Sequence, residues 1–294
     1  MDPQELIKKV KRIEIKTRKL SNQLFSGEYH SAFKGKGILF DRVREYTEGD
    51  EVRFMDWKVT AKLNHPYVKV FQEERELTMM ILVDISASSD FGTHTQLKKD
   101  LITEISAVLS FSAAQNQDHA GLILFSDHIE KCIPPKKGRG HTQKIIREIV
   151  GFEPKGKGTN IAAALEYLGR MIKKKCIVFL ISDFIDQNME KDLRIYARKF
   201  DLIGIQIYDI REREMPDLGL IHFKDTETGK LALIDTAQKK VREDYRIRGL
   251  ENQKKLYQSF AMAGADLLSL RTDQSYIPLL LNFMKKRHNG IKRS

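Results

Sequence analysis

Five oxygen-bearing side chains stand where they could share one hard cation. Asp84, Ser86 and Ser88 form a D-x-S-x-S run, Asp84-Ile85-Ser86-Ala87-Ser88, directly after the apolar stretch Met79-Met80-Ile81-Leu82-Val83. In extended backbone alternate side chains point the same way, so an acid and two hydroxyls would face one spot. Thr159 lies in the loop Gly156-Lys157-Gly158-Thr159-Asn160, just ahead of a helical pattern, and Asp183 follows a later apolar stretch in Leu180-Ile181-Ser182-Asp183. Carboxylate and hydroxyl oxygens suit Mg²⁺, and Mn²⁺ as well. The competing reading is structural, because Asp, Ser and Thr are also preferred helix caps and turn residues.

Such residues meet only if the elements that carry them are neighbours. Continuous apolar runs of strand length occur at 79–83, 121–125 and 176–181, the pattern of strands buried on both faces, and 202–208 reads as a fourth strand. Helical periodicity follows or separates them at 97–114, 143–150, 161–172, 189–200, 241–263 and 276–286, with a last strand at 267–270. This alternation predicts an α/β fold built on a doubly wound, mainly parallel sheet. In such sheets ligands bind beyond the carboxyl ends of the strands, where all five residues would lie. Thr159 or Asn160 is expected to cap the helix that starts at 161. Residues 211–238 carry Pro216, Gly219 and Gly229 and two strand-like pieces around Glu227-Thr228-Gly229-Lys230, which reads as an inserted β-hairpin. Ahead of the α/β pattern, residues 6–24 suit an amphipathic helix, and a glycine-punctuated segment of short strands follows. The expected division is therefore 1–76 and 77–294.

Composition narrows the function. The chain has 294 residues, 41% hydrophobic and 31% charged, an ordinary globular balance. Its two cysteines, Cys132 and Cys176, form no C-x-x-C, which argues against a disulfide scaffold or a thiolate zinc site. No apolar run reaches the ~18 residues of a membrane helix, and the start Met1-Asp2-Pro3-Gln4-Glu5 has no signal core, so a cytoplasmic protein is expected. The net charge of +11 is dispersed, apart from Lys8/Lys9/Lys11/Arg12, Lys136/Lys137/Arg139 and the tail Lys285-Lys286-Arg287 with Lys292-Arg293. Without a recognisable nucleic-acid motif this reads as a solvated surface; nucleic acid is disfavoured and peripheral membrane contact is left open. Gly151-x-x-x-x-Gly156-Lys157 nearly spells a P-loop, but position 158 is Gly rather than Ser or Thr.

The D-x-S-x-S run, the loop Thr159 and the later Asp183 together resemble the von Willebrand factor A-like domains that carry a metal-ion-dependent adhesion site. A wider pattern, Gly35-x-Gly37-x-x-Phe40-x-x-x-Arg44-x-Tyr46-x-x-Gly49-Asp50-x-x-Arg53-x-x-Asp56-Trp57, resembles the signature of domain-of-unknown-function family 58. Val68-Lys69, Glu73-Glu74-Arg75 and Ser182-Asp183-Phe184 fit the same signature. Leu39, Glu51 and Ser89 depart from it, and none is among the five candidate ligands. The resemblance implies a non-enzymatic interaction module of a bacterial protein, acting with an AAA+ ATPase of MoxR type. It also implies Mg²⁺ held by Ser86, Ser88 and Thr159 directly and by Asp84 and Asp183 directly or through water. A partner protein would then supply a carboxylate as the remaining ligand. Two rival readings are a metal-dependent phosphohydrolase, for which the motif offers no spare general base, and a basic binder of nucleic acid or membrane. For Arg44, Arg53, Asp56 and Trp57 the expectation is a buried Arg–Asp pair with the tryptophan as packing anchor; the alternative is a partner-binding surface.

Overall fold

The computed structural model describes residues 11–14, 17, 39–72, 77–92, 96–186, 189–224 and 231–291. Most of the expected first helix, Gly35-x-Gly37, Glu73-Glu74-Arg75, the 227–230 turn and Lys292-Arg293 lie outside the described residues. By contacts the chain divides into Lys34–Leu77 and the remainder.

In the smaller unit, strand β1 (Leu39–Glu45) pairs antiparallel with β2 (Tyr67–Gln72), and helix α1 (Trp57–Leu63) lies between them in sequence. The Asp56 side chain caps α1 by accepting from the amides of Lys58 and Val59. Arg44 donates twice to Asp50 at 2.7 Å, and Asp50 also accepts from the Thr47 amide at 2.9 Å, which fixes the turn after β1. Bidentate pairing holds the Asp50 carboxyl well below its usual range. This corrects one expectation. The Arg44–Asp50 pair is partly open to solvent, Arg53 pairs with Glu51, and Trp57 is 65% exposed. Asp56 caps the helix through one oxygen and has the Lys69 ammonium 3.7 Å from the other, so its cation is a lysine, not an arginine.

The larger unit runs β3 (Thr78–Asp84), α2 (Lys98–Gln115), β4 (His119–Phe125), β5 (Ile129–Lys136), α3 (Arg139–Gly151), α4 (Ile161–Met171), β6 (Ile177–Ser182), α5 (Glu190–Lys199) and β7 (Asp201–Tyr208). It continues with β8 (Leu220–Lys224), β9 (Leu231–Asp235), α6 (Lys239–Ala263), β10 (Asp266–Arg271) and α7 (Ile277–Ile291). Six strands form one sheet in the order β10-β7-β6-β3-β4-β5, parallel throughout except that β5 is antiparallel to β4. β8 and β9 pair as the expected separate hairpin.

The apolar runs explain the layers. Met79 through Val83 are wholly buried, as strands covered on both faces must be. On one face Met80, Leu82, Val178, Leu180 and Leu202 pack against Leu165 and Leu168 of α4, Leu193 of α5 and Phe260 of α6. On the other side α2 is almost entirely buried, and its Ala107 and Phe111 pack with Ile146 and Val150 of α3 and with Ile13. β5 was not foreseen, because Pro134 and Pro135 hide it. Proline is tolerated at an edge, where the missing amide costs no ladder bond, and β5 is the last strand of the sheet.

β3 is the centre of the plan. The chain leaves it through α2 toward β4 on one side, and returns through α4 to β6 on the other. The crevice beyond the carboxyl ends of β3 and β6 is therefore the topological switch point of the sheet.

Gly204 of β7 is where α6 comes closest. A β-carbon there would overlap the ring of Phe260, with Leu267 behind it. Gly204→Ala is expected to lower stability by about 1–3 kcal/mol, because an overpacked core must shift. Urea denaturation measures it; an unchanged midpoint would show that Phe260 moves freely.

Candidate metal centre

Asp84 ends β3, and its side chain turns inward: the residue is 3% exposed. Its carboxylate accepts from the Ser182 hydroxyl at 2.6 Å, the Ser86 amide at 2.9 Å and the Thr159 hydroxyl at 3.2 Å. Among the described residues no lysine, arginine or histidine pairs with it. Burial first, and the charge of Asp183 second, push its carboxyl up to about 6. The Ser86 and Ser88 hydroxyls lie 3.1 Å apart at the start of a 3-10 turn over Ala87–Asp90.

Thr159 is brought there by a fastened loop. Lys157 O accepts from the Ala87 amide at 3.1 Å, and the Asn160 amide donates to Ser126 O at 2.8 Å. The Glu130 carboxylate of β5 accepts from the amides of Lys155 and Gly156 and from Ser126 Oγ. Asn160, not Thr159, caps α4, by accepting from the Ala163 amide. The threonine hydroxyl is thus left to Asp84.

Asp183 sits one residue past β6, beside Asp84 across the switch point. It differs in having its own cation. Lys98, the first residue of α2, is 1% exposed, and its ammonium donates to Asp183 Oδ2 at 2.8 Å and to Glu212 Oε1 at 2.6 Å. Burial pulls the lysine's pKa down, but the two carboxylates outweigh it and hold it above its ordinary value. Glu212 in turn accepts from the Asp209 amide, and Asp209 accepts from the Thr272 hydroxyl. A cavity of about 10 Å³, the room of roughly one water, lies among Asp84, Ser88, Ser89, Lys98, Ser182 and Asp183.

All five expected residues therefore come to one rim. Asp84, Ser86, Ser88 and Thr159 form one hydrogen-bonded cluster, and Asp183 stands against it on the arm of Lys98. Reading the sequence missed Ser182, Lys98 and Glu212. Ser182 was visible beside Asp183. A lysine at the start of a helix normally reads as solvated, so Lys98 carried no local signal.

The group fits a divalent cation in chemistry. No cluster of three or more His, Cys, Asp or Glu able to hold a metal occurs among the described residues, so a site here draws on hydroxyls as well as acids. A buried carboxylate without a cation beside it is costly, and a hard ion among oxygen donors relieves that cost.

A family model described as "Protein of unknown function DUF58" matches residues 42–255, well over half of the sequence. The chain belongs to the DUF58 family. The doubly wound, mainly parallel sheet expected from the sequence is present. Uncharacterized protein Rv1480 of Mycobacterium tuberculosis is 29% identical over 295 aligned positions, spanning 99% of this chain and 92% of that protein. Among solved structures, the conserved hypothetical protein BatB from Bacteroides thetaiotaomicron is 13% identical, with a TM-score of 0.49 over 74% of this chain and all of that one. The SpRpn10 VWA domain is 10% identical, with a TM-score of 0.41 over 71% of this chain and 95% of its own. No helix among the described residues of this DUF58 protein is long and apolar enough to cross a membrane.

Lys98→Met is expected to lower stability by about 3–5 kcal/mol, because it strands two acids that share the one ammonium. Chemical denaturation tests this. A loss under about 1 kcal/mol would mean that Asp183 and Glu212 find water instead.

Proposed function

We propose that this DUF58 protein is a non-enzymatic, metal-ion-dependent protein-interaction module. The observation that carries the reading is Asp84, a buried carboxylate ringed by the hydroxyls of Ser86, Ser88, Thr159 and Ser182, with no cation of its own among the described residues. Ser86, Ser88 and Thr159 with Asp84 and Asp183 would hold Mg²⁺ or Mn²⁺. When bound, the ion supplies an electrophilic position that a carboxylate of a partner protein can fill. The chain's own residues do the positioning. Ser182 fixes Asp84, the 156–160 loop presents Thr159, and Lys98 holds Asp183 in reach. An AAA+ ATPase of MoxR type is the proposed partner, on the resemblance of the sequence.

Binding rather than hydrolysis is favoured by how the nearby acids are engaged. A hydrolase would need a general base beside the ion, and Asp183 and Glu212 are both held on Lys98. No His lies among the residues that make these contacts.

Two measurements test the reading. Calorimetric titration with Mn²⁺ should show one site in the wild type and none in Asp84→Ala. At a hundredfold excess over Kd the ion should stabilise the wild type alone by about 2.7 kcal/mol. Affinity capture should retain a MoxR-type ATPase with Mg²⁺ and lose it with chelator or with Asp84→Ala. Equal capture under all conditions would end the adhesion-site mechanism.

A further inference from the structure

A cleft of about 600 Å³ opens beside the candidate centre, between the carboxyl ends of β6 and β7 and the middle of α6. Its size is that of a ligand site, and Asp183 lines both this cleft and the small cavity at Asp84. The charges around it are unevenly engaged. Asp183 and Glu212 share Lys98, Asp186 accepts from the Ile161 amide, and Glu190 accepts from the Ser259 hydroxyl. Arg213, Arg248 and Lys255 also line it. None forms an ion pair among the described residues, although the Glu212 carboxylate lies near enough to Arg213 to favour its charge.

Arg213 is the built member of this set. Its guanidinium lies 3.3 Å from the centre of the Tyr208 ring. One terminal nitrogen donates to Gln206 Oε1 at 3.2 Å and to Gln253 Oε1. Both glutamines are themselves tied to Ser269 of β10. A half-buried guanidinium is thus fixed by a ring and by neutral acceptors, with donors to spare, which is how arginine is pre-organised for a carboxylate. The walls here are side chains from the middle of α6. The start of α5 also lines the cleft, at Met189 and Glu190, but it carries the acidic Glu190 side chain, which disfavours a phosphate there.

We propose that the cleft is a carboxylate subsite for an acidic polypeptide segment: one acidic residue binds Arg213, with Arg248 and Lys255 at the rim, while a neighbouring acidic residue reaches the cation at Asp84. The second contact rests on the metal reading above; the first does not.

Fluorescence anisotropy with a labelled peptide of alternating Glu and Gly, and with its Gln/Gly counterpart, tests the proposal on the full chain. The Glu peptide should bind and the Gln peptide should not. Arg213→Gln should weaken binding about tenfold, the loss of one charge-assisted contact, in Mg²⁺ and in chelator alike. Asp84→Ala should remove only the Mg²⁺-dependent part. Arg248→Glu, at an exposed position, gives the same reading if Arg213→Gln does not fold, and should weaken binding severalfold.

Loss of Mg²⁺ dependence with the Arg213 effect intact would sink the metal reading and keep the subsite. Undiminished binding by Arg213→Gln and Arg248→Glu would sink the subsite alone. Equal binding of both peptides, or displacement of the Glu peptide by inorganic phosphate at matching concentration, would also overturn it.

Discussion

Two carboxylates share a desolvated rim, and only one has an internal cation. Asp84 and Asp183 close the adjacent strands β3 and β6, where the chain reverses its winding direction. Asp183 is neutralised by Lys98, itself shared with Glu212. Asp84 has only neutral donors, which do not offset burial and the neighbouring charge of Asp183, so its carboxyl is pushed up to about 6. Asp84, Asp183 and Glu212 oppose a single ammonium, and a divalent ion, if bound there as proposed, would supply the two positive charges that balance them. The hydroxyls of Ser86, Ser88 and Thr159 add donors without adding negative charge.

The rest of the rim keeps that imbalance in place. The chain of contacts from Asp183 through Lys98, Glu212 and Asp209 to Thr272 runs across the ends of β6, β7 and β10. On the other flank, Glu130 of the edge strand fastens the loop that presents Thr159. The edge strand thus has a reason to be in the sheet beyond closing it. Buried polar networks of this kind specify one arrangement when every member is satisfied.

The sheet was legible because parallel strands covered on both faces are apolar nearly throughout, as 79–83, 121–125 and 176–181 are and 202–208 is apart from Gln206. Asp84, Ser86 and Ser88 were legible because acid and hydroxyl at alternate positions after such a strand is a short-range pattern, and Thr159 and Asp183 because each stands at the end of a loop or strand in the α/β alternation. What stayed hidden was long-range. Lys98 looks solvated until the fold places Asp183 and Glu212 around its ammonium, 85 and 114 residues away. β5 was masked by Pro134 and Pro135, which only an edge position excuses. Trp57 misled for the opposite reason: a lone tryptophan in a polar segment suggests an anchor, yet it opens a short helix facing solvent.

Phe184 shows how the second carboxylate is held to its place. Its φ of 59° is left-handed, a conformation that costs a bulky residue on the order of 1–3 kcal/mol. Burial of the ring offsets the cost, since it meets Phe260 edge-to-face with centroids 5.2 Å apart. The Phe184 amide donates to Ser182 Oγ at 3.0 Å, and that hydroxyl donates to Asp84 at 2.6 Å. One serine therefore ties the strained turn that aims Asp183 to the carboxylate of Asp84. Phe260 also rests where only a glycine at 204 leaves it room. The turn that carries Asp183 thus rests, through Phe184 and Phe260, on the packing of α6 against β7.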